Sequence, residues 1–168
     1  MTIGAIRILG VDPGLRTTGW GVIEAAGSRL SFVGCGSIET EATTPLAGRL
    51  AAIHSALVGL VEREAPHEAA IEETFVTANG ASTLKLGHAR AAAMLAPAAA
   101  GLPVAEYAAK VVKKAIVGTG GADKAQVGFM VARLLPSAGP TSIDAADALA
   151  VAICHAHGRR SRAIGAAA

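Results

Sequence analysis

A short apolar run near the start of the chain, residues 6–11, stops at an aspartate that is followed by proline and glycine. Isoleucine, leucine and valine favour a buried strand and a Pro-Gly pair favours a turn, so the sequence predicts a strand that ends at Asp12. Two further β-like runs follow at residues 17–24 and 30–38, with Gly27 in the turn between them. Together the three runs predict an antiparallel meander.

The next segments alternate between helical and strand patterns. Thr44 is predicted to cap a helix with Pro45 at its first position, because apolar side chains then recur at helical spacing as far as Val61. A buried strand is predicted over residues 69–71, ending at Glu72. A strand, a crossover helix and another strand favour parallel pairing, so this strand is expected beside the first one.

The remaining patterns complete a single α/β domain. They predict three helices at residues 81–100, 123–135 and 142–157, and a fifth strand at residues 104–107. The expected fold is one mixed sheet, a three-stranded antiparallel meander plus parallel strands, flanked by helices. We expect the domain to span residues 1–158 and residues 159–168 to form a short, flexible tail rich in arginine and alanine.

The composition fits a compact domain with an aliphatic core. Hydrophobic residues make up 52% of the 168 residues, whereas aromatic residues make up 3%. No apolar run approaches the ~20 residues of a membrane helix, and the start of the chain lacks the pattern of a cleaved leader. We therefore expect a cytoplasmic protein with no membrane association, whose Cys35 and Cys154 are reduced thiols.

The charged residues are distributed unevenly along the chain. Residues 1–84 carry five basic and nine acidic side chains, and residues 85–168 carry ten basic and four acidic ones, which gives −4 against +6. Basic charge gathered in one part of a chain is typical of proteins that bind polyanions. A solvated, lysine-rich surface explains the same asymmetry, so the charge alone decides nothing.

Four acidic residues are predicted to converge on this frame. Asp12 and Glu72 end neighbouring parallel strands, at the sheet edge where α/β proteins bind ligands. Asp144 and Asp147 are three residues apart on the last helix, so their side chains share one face. Taken singly, each acid has a structural explanation, as a turn residue, a helix-dipole partner or, for Glu72 and Glu73, a solvated strand end. The combination of all four acids indicates a functional site far more specifically than any one of them.

A cluster of carboxylates indicates a metal site. Two like charges about 4 Å apart repel by roughly 4 kcal/mol at an effective dielectric of 20, so four of them need a counter-charge. Oxygen-only ligands select Mg²⁺ or Mn²⁺, and two such ions suit in-line phosphodiester hydrolysis. No serine or cysteine nucleophile with a base at suitable spacing competes with this interpretation.

The acidic residues lie within segments that are similar to those of a known family. Residues 10–21 (GVDPGLRTTGWG) and residues 70–72 (AIE) with Phe75 resemble the first and second motifs of the RuvC family of Holliday-junction resolvases. Further segments resemble the family at residues 84–90, 106–109, 117–118, 124–127 and 144–150. The resemblance covers nearly the whole chain in the same order.

This resemblance implies a ribonuclease-H-like fold and an endonuclease that resolves four-way DNA junctions by paired symmetric nicks in recombination and repair. It implies two Mg²⁺ ions per active site, with Mn²⁺ as a substitute. The metal-binding catalytic residues would be Asp12, Glu72, Asp144 and Asp147. The implied partners are junction DNA, a second copy of the chain, and the RuvA and RuvB branch-migration proteins.

The resemblance also implies DNA contacts outside the acidic cluster. Phe75 is expected to stack against unpaired bases, and Lys113 and Lys124 to lie near the scissile phosphate. Contacts with the DNA backbone are expected from Lys85, Arg90 and Lys114. The alternatives are a core position for Phe75 and a solvated surface for the lysines. His155 and His157, near a helix end, are expected to be dipole partners and are left out of the catalytic set.

Symmetric nicking implies a homodimer with two-fold symmetry, because one acidic cluster cannot cut two strands simultaneously. The alanine-rich helix at residues 81–100 is a candidate interface. Its small residues Ala89, Ala92, Ala93 and Ala96 would allow a close approach of two helices. Packing of the same residues within the domain is the alternative.

Three other functions share part of this pattern. A sugar kinase or actin-like ATPase also has an aspartate and glycines after its first strand, like Asp12, Gly14 and Gly19, but requires two similar domains. A ribonuclease-H-like nuclease that cuts structured RNA precursors would use similar carboxylates and is the main alternative. A non-catalytic junction-binding protein would be expected to lack one of the four acids, and all four are present.

Overall fold

The structure of the protein is a computed structural model that describes residues 4–74 and 76–166, with residues 160–166 described by their backbone alone. In chain order the strands and helices are β1 (Ile6–Asp12), β2 (Thr17–Ala26), β3 (Arg29–Glu39), α1 (Leu46–Glu64), β4 (Glu68–Glu72), α2 (Gly80–Ala99), β5 (Val104–Tyr107), α3 (Ala109–Val117), α4 (Lys124–Leu134) and α5 (Ile143–Ala166). None of the helices among these residues combines the length and apolar character that crossing a membrane requires.

The five strands form one mixed sheet in the order β3-β2-β1-β4-β5. β1, β2 and β3 pair antiparallel, whereas β4 pairs parallel with both β1 and β5. The predicted meander and the predicted parallel neighbour of β1 are both confirmed. Because the parallel strands point the same way, the carboxyl ends of β1, β4 and β5 meet at one edge of the sheet.

Strand alternation sends side chains to two separate cores. Ile8 on β1 packs with α3, α4 and α5 on one face of the sheet, while Leu9 and Val11 pack with α1 and α2 on the other. The α5 core is rich in alanine, which lets this helix lie close to the strands. It also contains Cys154, where burial raises the pKa of the thiol to about 11.

Beyond shifts of one or two residues at the ends of elements, the structure differs from the prediction in one helix, one helix cap and one helix end. α3 was not predicted, because its β-branched run has the composition of a strand. The predicted cap at Thr44 is wrong, since Pro45 itself occupies the N-cap with extended backbone and no side-chain cap bond. The last helix continues to Ala166 rather than ending at residue 157. The division between domain and tail at residue 158 stays a prediction, although the helical backbone passes through it.

The small residues of α2 face the interior of the same chain. Ala89, Ala93 and Ala96 are buried in the core that α1 and α2 form on the sheet, and Ala92 is half-buried against it. Their expected role in an interface between two copies is therefore wrong, and packing within the domain accounts for them. The alanines bring α2 close to α1, which leaves the opposite side of α2 exposed.

Candidate active site

Two of the predicted acids lie side by side at the carboxyl edge of the sheet. Val11 of β1 is in parallel register with Ile71 of β4, so the residues that follow, Asp12 and Glu72, are neighbours. Both side chains are half-buried and line the same cleft. The two strand ends therefore bring two carboxylates to one wall of a surface cleft.

α5 brings the other two acids to this edge because glycines let it approach the sheet. A Cβ atom on Gly19 of β2 would lie 2.0 Å from the backbone oxygen of Asp144, so only glycine fits at this crossing. Asp147, one turn further along α5, lines the cleft with Asp12 and Glu72. Asp144 lies close enough to raise the pKa of Asp12, but it does not line the cleft itself.

The turn after Asp12 is closed by a threonine that sequence reasoning missed. The buried Thr18 hydroxyl donates to the carbonyl oxygen of Gly14 at 2.7 Å, and the Gly14 amide approaches the same hydroxyl at 3.3 Å. Thr18 thus supplies the local bonds that a turn aspartate would otherwise make. The Asp12 carboxylate is left to face the cleft. A single sequence contains no pattern by which a threonine four residues after a turn glycine could be recognised as closing the turn.

The cleft holds more negative charge than its surroundings neutralise. Burial, followed by repulsion from Glu72 and Asp147, raises the pKa of Asp12 from 3.8 to about 7. Burial and then Asp147 also raise the pKa of Glu72, against an opposing effect of Lys124 and Lys113. Ionised carboxylates here are stabilised by added positive charge, which is the property of a cation site.

Lys124 supplies positive charge at the cleft. Its Nζ donates to Oδ2 of Asp147 at 2.7 Å, and this hydrogen bond raises the pKa of the lysine. A capping box fixes the start of α4, the helix that carries Lys124. The backbone amide of Gln126 donates to the Asp123 carboxylate at 2.8 Å, and the backbone amide of Asp123 donates to the Gln126 side-chain oxygen at 2.9 Å. Lys113 of α3 lines the same cleft. Both predicted lysines are therefore next to the carboxylates.

The donor set fits a hard divalent cation in its chemistry. The cleft-lining carboxylates offer only oxygen, and burial followed by repulsion from neighbouring acids raises the pKa of Asp12 and Glu72. Within residues 4–74 and 76–166, however, no three His, Cys, Asp or Glu side chains are grouped tightly enough to hold an ion as they stand. Release of Asp147 from Lys124 is the adjustment that would free one of these oxygens.

Comparison with known proteins identifies the family. Residues 8–155 match the family model described as crossover junction endodeoxyribonuclease RuvC. The chain belongs to the RuvC family. The crossover junction endodeoxyribonuclease RuvC of Xanthobacter autotrophicus is 60% identical over 163 residues, which cover 97% of this chain and 96% of that protein. The corresponding protein of Maricaulis maris is 61% identical over 164 residues, 98% of each chain.

Solved structures of RuvC proteins have the same architecture. Thermus thermophilus RuvC in complex with a Holliday junction substrate superposes with a TM-score of 0.87 at 31% identity, over 94% of this chain and 96% of that one. The yeast mitochondrial Holliday junction resolvase Ydc2 gives a TM-score of 0.64 at 12% identity, which shows a common fold alone. The predicted ribonuclease-H-like α/β fold is confirmed.

The RuvC comparison leaves open which of two adjacent glutamates serves the site, and the structure separates them. Glu72 lines the cleft, whereas Glu73 is exposed and its backbone amide donates to the carbonyl oxygen of Tyr107 at 2.9 Å. Strand alternation turns the two side chains to opposite sides. Phe75, the aromatic residue of the second RuvC motif, lies outside the described residues.

The expected DNA-backbone contacts are spread over the surface of this RuvC fold. Lys85 on α2 and Lys114 on α3 are exposed, which suits a contact with DNA but equally a solvated surface. Arg90 is half-buried and forms an ion pair with Glu106 of β5. The ion pair gives Arg90 a structural role within the chain. For all three residues a contact with DNA stays a prediction.

His155 belongs to a network at the other end of β4. It is 4% exposed, its Nδ1 is 2.8 Å from the hydroxyl of Tyr107, and its Nε2 is 2.6 Å from a carboxylate oxygen of Glu68. Arg159 pairs with the same glutamate at 2.8 Å. Because Glu68 begins β4 and Glu72 ends it, His155 lies outside the carboxylate cleft. These side-chain bonds instead link α5 to β4 and β5.

The charge of the RuvC cleft predicts an unusual effect on stability. In EDTA at pH 8, Asp12→Asn is expected to raise the melting temperature. The folded-state pKa of Asp12 is raised to about 7, so this group favours folding at low pH and loses that contribution as the pH rises through 7. Removing the charge at pH 8 should gain on the order of 2 kcal/mol, or roughly 4 to 8 °C.

Differential scanning fluorimetry can check this expectation. At pH 5 the difference between Asp12→Asn and wild type should shrink, because Asp12 is already protonated in the folded state. Mg²⁺ should raise the melting temperature of the wild type more than that of the variant. Glu73→Gln, which removes an exposed charge, is the control and should change little. A lower melting temperature for Asp12→Asn than for wild type in EDTA at pH 8 would contradict this account of the cleft.

Proposed function

We propose that this protein resolves four-way DNA junctions by paired, symmetric nicks in recombination and repair. The observation that carries the proposal is the placement of Asp12, Glu72 and Asp147 around one cleft, with Asp144 close by, in a chain that matches RuvC from residue 8 to residue 155. The Thermus thermophilus relative is described in complex with a Holliday junction substrate, which supports junction DNA as the substrate class.

Two Mg²⁺ ions, or Mn²⁺ in their place, are the cofactors that this donor set suits. The residues that would hold them are Asp12, Glu72, Asp144 and Asp147. When bound, such ions activate the attacking water and stabilise the leaving 3′ oxygen of the phosphodiester. The half-buried position of Asp12 and Glu72 favours this role, because burial and then repulsion raise the pKa of both carboxyls, and a bound cation offsets both effects.

The lysines of the cleft have a separate role in the proposal. Lys124 and Lys113 place two ammonium groups at the carboxylates, where they would contact the scissile phosphate and stabilise the negative charge of its pentacovalent transition state. Lys124 must exchange its bond with Asp147 for one with the phosphate. Stacking of Phe75 on unpaired bases and contacts of Lys85, Arg90 and Lys114 with the DNA backbone complete the proposed interface.

A cleavage assay distinguishes this function from action on structured RNA, for which the comparisons give no support, since the matched relatives are named endodeoxyribonucleases. The substrates are a mobile four-way DNA junction, a linear duplex of the same sequence and a structured RNA of equal length, each incubated with Mg²⁺. We expect symmetric nicks in the junction and intact duplex and RNA. Cleavage of the RNA as fast as the junction would refute the proposal.

A homodimer is the proposed assembly, with RuvA and RuvB as partners in branch migration. The side of α2 that faces away from the core exposes Leu84 at 63% and Leu95 at 57%, with Ala91 between them on the same helical face. Exposed apolar side chains in a row on one helix are typical of a protein interface. A second copy of this face would bury the row about a two-fold axis.

Acidic substitutions on this face test the assembly. The double variant Leu84→Glu, Leu95→Glu should sediment as a monomer, because like charges would meet across the axis, while wild type at micromolar concentration should sediment as a dimer. Val111→Glu makes the same kind of change at a 50% exposed residue of α3 and should remain dimeric. A strictly monomeric wild type that cuts both strands in one binding event would rule out the dimer.

A further inference from the structure

Phe129 is an exposed aromatic residue in a chain that has very few of them. The sequence contains three phenylalanines, one tyrosine and one tryptophan. Trp20, Phe32 and Tyr107 pack against the two cores, whereas Phe129 on α4 is 63% exposed. Leaving a large ring in water costs free energy, so an exposed ring is a candidate contact site.

The ring borders a groove that continues the carboxylate cleft. The groove lies between α4 and the start of α5, and Phe129 and the 63% exposed Ile143 form its apolar sides. Lys124 and Asp147 line both the groove and the cleft. At ~1.5 Å per residue, Phe129 lies about 7.5 Å along α4 from Lys124, which corresponds to about two stacked nucleotides.

The charge around the ring suits a nucleic acid strand. Lys124 and Arg133 are the charged residues of α4, and Asp147 is the acid among the residues that line the groove. The guanidinium of Arg133 lies over the Phe129 ring, with its central carbon 5.9 Å from the ring centroid. An aromatic face beside cations is the arrangement by which proteins hold single-stranded nucleic acid, with a base on the ring and the phosphates on the cations.

We propose that Phe129 and Arg133 form a base-stacking platform for a nucleotide of the cleaved strand, about two positions from the scissile phosphate. This inference rests on the proposed function, because it requires a DNA strand in the cleft. The strand enters the groove past Lys124, a base stacks on Phe129, and Arg133 moves from the ring to the adjacent phosphate. The platform fixes the register of the strand relative to the carboxylates.

The experiment uses a four-way junction that carries 2-aminopurine at single positions on either side of the cleavage site. Binding is measured without divalent metal, so that the strand stays intact. Stacking on Phe129 should quench the probe at one of these positions, and Phe129→Ala should abolish the quenching and weaken junction binding about tenfold. Phe129→Trp should restore both, since it keeps an aromatic face. Val111→Ala, at an exposed apolar residue of α3, should leave both unchanged.

The outcomes separate this inference from the function on which it rests. If wild type binds and nicks the junction but Phe129→Ala binds as tightly and quenches as fully, the platform is refuted and the proposed function stands. If Phe129→Ala instead dissociates the homodimer in sedimentation, the surface is a protein interface and the platform is likewise refuted. A wild type that neither binds nor nicks the junction would overturn both.

Discussion

Asp12→Asn and Asp147→Asn are each expected to slow junction nicking at least ~100-fold while junction binding is retained. Each change replaces a cleft carboxylate by an amide of the same shape, so a charged metal ligand is lost without added bulk. The loss falls on the transition state rather than on DNA affinity, because binding depends on cations and surface contacts. Single-turnover nicking in Mg²⁺ and gel-shift titration measure the two effects separately.

Adjacent glutamates provide the matched control for this prediction. Glu72→Gln should cause a loss as large as that of Asp12→Asn, whereas Glu73→Gln should keep nearly full activity, since Glu73 is exposed on the other side of the strand end. The two variants differ by one sequence position and share the same change in charge. Nicking by Asp12→Asn or Asp147→Asn within about tenfold of wild type would remove these residues from the catalytic set.

Gly19→Ala is expected to damage both the fold and the site. Its new Cβ would lie 2.0 Å from the backbone oxygen of Asp144, and neither β2 nor α5 can yield without moving the acids of that helix. Overpacking of this kind costs about 3 kcal/mol, which lowers the melting temperature of a chain of this size by roughly 6 to 12 °C. Nicking should fall as well, because α5 carries Asp144 and Asp147.

Gly59, a glycine of helix α1, provides a control for the Gly19→Ala variant. A Cβ on Gly59 of α1 would meet no described atom within 4 Å, so Gly59→Ala should stabilise the protein by about 0.5 to 1 kcal/mol through helix propensity. Thermal unfolding of the two variants under the same conditions tests the account of the helix crossing. A melting temperature of Gly19→Ala equal to that of wild type would show that α5 does not depend on this glycine.

The sequence was sufficient to predict the five strands and the neighbouring positions of Asp12 and Glu72. Local signals defined β1 and its end at Asp12, and the bounds of β5 were predicted as Val104–Tyr107, as observed. The topology of a strand, a helix and a second strand then placed Glu72 beside Asp12. These features depend on short-range patterns and on the general rules of α/β connections.

Features that depend on tertiary packing could not be predicted. α3 contains β-branched residues that favour a strand, and it is helical because Val112 and Ile116, one turn apart, are buried together. The alanines of α2 indicated close packing without showing which surface they meet. The bond between Lys124 and Asp147 joins residues 23 positions apart and exists only once α4 and α5 are placed.

The most direct test of the central claim is cleavage of a supercoiled plasmid that extrudes a cruciform, which is a four-way junction on a closed circle. Two symmetric nicks made within one binding event convert the circle directly to a linear molecule, whereas independent nicks first give an open circle. We expect linear product in Mg²⁺ without accumulation of open circles, and we expect Asp12→Asn to form no linear product. Accumulation of open circles ahead of linear product, or cutting away from the cruciform, would contradict it.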